Sequence, residues 1–122
     1  MQIYGLDYLD TFASVAKLAS LRIILAIAAI EDLEIHQMNV IAAFLAGDLD
    51  EEIYMKQSEG FKQGIEEEDL VCLLRKSLYD LKQASRVWNQ RIRRFLLSKG
   101  YQQTHSDHCV YIHPVIKVII AM

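Results

Sequence analysis

Between Leu18 and Leu33 the apolar side chains Leu18, Leu21, Leu25, Ala28 and Ala29 recur at the spacing of one helical face, which predicts a helix. Ser20 is a candidate cap for an internal start, and Glu31-Asp32 closes the segment. Leu21 to Ile30 is apolar except for Arg22, so this helix reads as buried, and the run falls well short of the roughly 18 residues of a membrane span. The lead-in from Met1 to Ser14 shows no clean period.

Further along, Ile35, Met38 and Val40 bracket a short strand over Glu34–Val40. A helical turn follows from Ala42 to Ala46, with Gly47 placed to end it in a left-handed conformation. Glu52–Lys56 and Val71–Leu74 read as strands, separated by a loop over Ser58–Asp69 with an acidic tip. Ser85–Lys99 carries Trp88, Ile92, Phe95 and Leu96 on one helical face, with Gly100 as the stop. Cys109–Ile112 and Val115–Ala121 are extended pieces broken at Pro114. The last is uniformly apolar, as a central strand would be, and could self-associate along an open edge. The expected class is α+β, a small antiparallel sheet with packed helices.

Composition fits one core: 122 residues, 52% hydrophobic and 24% charged, are enough for one globular domain or a piece of one. Two cysteines, Cys72 and Cys109, make no disulfide framework, and no signal peptide is visible, so an intracellular setting without membrane partners is expected. The net charge of −3 conceals a segregation. Arg75 to Lys99 holds eight basic residues and one acid, Asp80, a local +7 against −10 for the rest. Such a field suits a phosphate backbone, with Lys82, Arg86, Arg91, Arg93 and Arg94 as candidate contacts and Trp88 or Tyr79 nearby; a solvated helix face is the commoner meaning of such a run. His105, Asp107, His108, Cys109 and His113 are zinc-binding types, yet their spacing matches no closed four-ligand pattern, and the acids Asp48, Asp50, Glu51 and Glu52 read as a charged turn.

Four ordered blocks carry a more specific signal: Tyr4–Tyr8 with Thr11–Lys17; His36-Gln37-Met38-Asn39-Val40 through Ala43-Phe44-Leu45; Gly47–Met55; and Ser77-Leu78-Tyr79-Asp80-Leu81-Lys82-Gln83-Ala84-Ser85-Arg86-Val87-Trp88. Ser106–Tyr111 fits as well. Over nearly its whole length the chain resembles the reverse transcriptase domain of copia-type long-terminal-repeat retrotransposons. The resemblance implies a single partial domain, 1–122, from the fingers and palm of a right-handed polymerase. It also implies template-directed DNA synthesis with an RNA or DNA template-primer, deoxynucleotides and two divalent metals, Mg²⁺ or Mn²⁺. By the same resemblance Val40 offers a backbone carbonyl to a metal, Phe44 crowds a ribose 2′-hydroxyl, and Lys82 and Gln83 face the nucleotide.

Against this pattern stand four departures. The family's first metal-binding carboxylate is the aspartate of a Met-Asp-Val motif, matched here by Asn39. Asp80 replaces a glycine and Ser85 a proline. No Tyr-Val-Asp-Asp hairpin follows Ile119–Met122, and upstream fingers, thumb and RNase H regions have no counterpart within these residues. The expectation is therefore a fragment with no intact metal site and no bound cofactor, inactive in polymerisation. Asn39→Asp alone is not expected to restore synthesis in these 122 residues. The alternative is a non-catalytic module that binds nucleic acid weakly through residues 75–99, or one that self-associates.

Overall fold

A computed structural model describes residues 2–61 and 70–122; the acidic tip assigned above to the loop lies outside them. The chain divides into two compact units, Met1–Thr11 with Ala42–Trp88 and Phe12–Ile41 with Asn89–Met122. Among the described residues its architecture is α+β, with two α-helices, α1 (Leu18–Ile30) and α2 (Ala84–Ser98), and two antiparallel sheets in place of the single sheet expected.

In the first unit, β1 (Asp48–Lys56) pairs with β2 (Val71–Lys76) from Ile53↔Leu74 to Lys56↔Val71. The register then shifts, and Asp48 comes opposite Lys76. Both strands are longer than the apolar pattern alone indicated, because the ladder and the Asp48–Lys76 ion pair continue past the apolar residues. Ahead of β1 lies a short 3₁₀ helix, Ala43–Ala46. The left-handed residue is at its start, Ala42 with φ 55°, and Gly47 is extended with φ −76°. Gly47 is needed for space instead: a Cβ there would collide with the side chain of Val87. Its carbonyl accepts the Ser77 N–H at 2.9 Å, which stitches the end of β2 to the 3₁₀ helix.

Helix α2 begins in the first unit and continues in the second. Its buried positions are Ala84, Val87 and Leu96, whereas Phe95 is 53% exposed with the Lys99 ammonium 5.7 Å from its ring centroid. The stop at Gly100 is a two-bond C-cap. With φ 87°, Gly100 donates to Leu97 O at 3.1 Å, and Tyr101 donates to Leu96 O at 3.1 Å.

In the second unit, α1 closes the same way, with Asp32 left-handed at φ 51° and Leu33 N–H donating to Ala28 O at 2.8 Å. It is not a buried helix: Ala28 is its sole buried residue, while Ile23 and Ile30 are 60% and 81% exposed. A helix apolar all round gives periodicity no way to choose an inner face, and only a narrow strip meets its own unit. Among the described residues no helix is long and apolar enough to cross a membrane.

The expected strand over Glu34–Val40 is irregular and exposed, because no neighbouring strand takes up its backbone groups among the described residues. The sheet of this unit runs β3 (Gln102–Gln103), β4 (Val110–His113), β5 (Val118–Ala121), so β5 is an edge strand and not a central one. Pro114 to Lys117 form the turn between β4 and β5, where Val115 and Ile116 donate their N–H groups to His113 Nδ1 at 3.2 and 3.3 Å. That engagement shortens the apolar tail that pairs. Cys109, Val110 and Tyr111 are the buried centre of this sheet.

Candidate active site and nucleic-acid interface

Asn39 and Val40 lie on the exposed stretch before the 3₁₀ helix, in the second unit. Phe44, Lys82, Gln83 and Arg86 belong to the first. Within that unit the half-buried Phe44 ring meets Tyr79 edge to face, with centroids 5.2 Å apart and planes at 62°. Tyr79 is followed by Asp80 in the left-handed region at φ 70°. Glycine adopts that backbone without a Cβ penalty, and aspartate is among the few side chains that tolerate it.

Gln83 is fully buried, its carbonyl accepting from Gln2 Nε2 at 2.9 Å and its amide donating to Asp7 O at 2.9 Å. Lys82 is tied through its backbone, its N–H donating to Gln2 Oε1 at 2.7 Å, and its side chain is exposed. Arg86 pairs with Asp10, Nε to Oδ2 at 3.2 Å, and so is committed to its own unit. Of the remaining basic positions, Arg91, Arg93 and Arg94 are exposed on α2; Arg94 Nε donates back to Gln90 O at 3.3 Å.

The pattern of residue types does not reveal the role of Asp107. Its carboxylate is 6% exposed and accepts from Lys17 N at 2.8 Å, Cys109 N at 3.0 Å and the Ser20 hydroxyl. Ser20 therefore does not cap α1; Asp107, far along the chain, does so by holding negative charge at the helix N-terminus. The Ser20 hydrogen bond, then the Cys109 and Lys17 N–H groups, lower its pKa from 3.8 to about 2. Only the contact from Asp107 to Cys109, two residues apart, had a local signature.

A depressed folded-state pKa contributes stability above the unfolded value that is lost as pH falls through the folded value. Stability is thus expected to decline between about pH 4 and pH 2, and Asp107→Asn should flatten that limb in urea melts taken across the window. An unchanged acid limb in the variant would remove Asp107 as its source.

Three of the zinc-type residues are turned to other partners. Asp107 is engaged as above, Cys109 is fully buried beside Ser14, and His113 accepts from the turn and packs edge-on against Tyr101 at 5.1 Å. Burial pushes the Cys109 thiol up. Among the described residues no three His, Cys, Asp or Glu side chains are grouped to hold a metal ion. Asn39 is a neutral amide on an exposed stretch.

The ordered blocks find their match in one class of protein: the chain belongs to the reverse transcriptase (RNA-dependent DNA polymerase) family, whose sequence model matches residues 1–122. Three of its curated relatives are Pol polyproteins of copia-type plant transposons. The chain is 50% identical over 107 residues to the retrovirus-related Pol polyprotein from transposon TNT 1-94 of Nicotiana tabacum, covering 88% of this chain and 8% of the relative. It is 43% identical over 108 residues to that of transposon RE2 and 41% over 118 residues to that of RE1, both of Arabidopsis thaliana. Those matches cover 88% and 97% of this chain, and 7% and 8% of the relatives. The chain thus spans less than a tenth of the length of each of these three relatives. No solved structure matches it significantly.

Proposed function

We propose that this chain is a fingers-and-palm segment of a retrotransposon RNA-directed DNA polymerase that no longer supports DNA synthesis. The observation that carries the reading is Asn39, which stands where the resemblance wants a metal-binding aspartate. In the intact family site a divalent ion would supply charge stabilisation at the reacting phosphates. A neutral amide lacks the anionic oxygen that a hard cation needs, and no step through such an ion is derived for this chain. Phe44 is read as the side chain facing the sugar of a deoxynucleotide, with the exposed Lys82 on the nucleotide side; Gln83, buried between Gln2 and Asp7, supports that segment from within. The free thiols of Cys72 and Cys109 support an intracellular setting. The test is primer extension on an RNA template, with this segment replacing the matched residues of the tobacco relative. Incorporation near the parent level would defeat the reading.

A second reading, nucleic-acid binding without chemistry, is favoured by the exposure of Arg91, Arg93 and Arg94 along α2. Three phosphate contacts predict that log affinity for a single-stranded oligonucleotide falls against log salt with a slope of about −2. A slope near zero in a fluorescence-anisotropy titration would refute phosphate contact through these residues.

A further inference from the structure

The 3₁₀ helix that carries Phe44 has little means of orienting that ring by itself. It is four residues long, starts from a left-handed Ala42, has no side-chain cap, and its other members are Ala43, Leu45 and Ala46. Alanines cannot wall in a neighbour's ring, and Leu45 is 41% exposed. The tie comes from the segment after β2. The Asp48–Lys76 ion pair and the Ser77 N–H on Gly47 O fix that segment alongside the 3₁₀ helix. Asp80 then turns the backbone at φ 70° directly after Tyr79. The result is the edge-to-face contact at 5.2 Å, and Tyr79 is otherwise 55% exposed.

We infer that Tyr79 is a positioning residue that holds Phe44 at the 2′ side of a bound nucleotide sugar, so that preference for deoxynucleotides over ribonucleotides depends on Tyr79. The inference rests on the reading of Phe44 as sugar-facing. A ring free to rotate leaves room for a 2′-hydroxyl, whereas a ring held by an aromatic edge does not. Position 79 therefore acts on the ratio of the two affinities more than on either alone. The phenolic oxygen takes no part, so phenylalanine should serve as well as tyrosine.

The experiment is saturation-transfer NMR on the 122-residue chain with dATP and ATP in Mg²⁺. The chain and Tyr79→Phe are expected to prefer dATP by about tenfold, the discrimination a single steric contact supplies, and Tyr79→Ala to fall within about twofold. Thermal melts check that each variant folds; should Tyr79→Ala fail to, Tyr79→Leu, which keeps apolar bulk without the ring, takes its place and should lose the preference too. An undiminished preference in the alanine or leucine variant overturns the inference. Absence of nucleotide binding by the unaltered chain, or a preference that survives Phe44→Ala, overturns instead the reading of Phe44 on which it rests.

Discussion

Asn39→Asp is expected to raise DNA synthesis by about three powers of ten when this segment replaces the matched residues of the tobacco relative. A unit charge interacting with another at 4 Å in a medium of effective dielectric 20 contributes about 4 kcal/mol. Each 1.4 kcal/mol or so of transition-state stabilisation is about a factor of ten in rate. Residues 108–122 contain no Asp or Glu, so in this chimera any downstream acidic pair comes from outside the exchanged segment. Primer extension with Mg²⁺ and with Mn²⁺ measures the ratio of the aspartate form to the asparagine form. A ratio near one, with both forms inactive, would move the loss to the other departures, Asp80 and Ser85. A ratio near one with both active would mean that an amide suffices at this position.

Gly47→Ala is expected to lower the urea midpoint by the equivalent of about 3 kcal/mol, the upper end of the usual cost of overpacking a fitted interior. The backbone at Gly47 is ordinary, φ −76°, so alanine meets no conformational penalty there. The cost comes from the added Cβ, which falls on Val87 Cγ1 and lies 3.3 Å from Val87 Cβ; Val87 is 4% exposed on α2 and cannot swing clear. Val87→Ala removes the obstructing methyls, so the double variant should be at least about 1 kcal/mol more stable than the sum of the two single effects. Gly60→Ala is the contrasting case: nothing lies within 4 Å of its Cβ, and its φ of 86° alone sets a cost of about 1 kcal/mol. A Gly47→Ala chain as stable as the parent would show that the 3₁₀ helix and α2 are not packed as described.

Both effects bear on how the chain's information is divided between sequence and tertiary structure. Helix α2 and its stop at Gly100, the cores of β1, β2 and β4, the charge of the segment from Arg75 to Lys99 and the amide at position 39 were legible from residue types and spacing. Each is a local property: an amphipathic face, a glycine that accepts a left-handed backbone, a charge that is present or absent. The ordered motifs placed the family for the same reason, since they are strings of residue types. What the spacing did not reveal are the choices made by distant neighbours. Glu34–Val40 had some of the pattern of a strand but found no ladder partner, and the uniformly apolar α1 gave no sign that only Ala28 would be buried. Gly47 does end the helical turn, but with an extended backbone in place of the left-handed one, and its lack of a side chain makes room for Val87. Asp107 meets the N-terminus of α1, with 90 positions separating it from Lys17. Tyr79 reaches Phe44 because β2 is registered against β1. Backbone geometry and side-chain chemistry act over a few residues and so are written in local order, whereas burial, clash and long-range hydrogen bonds exist only once packing has selected which surfaces meet.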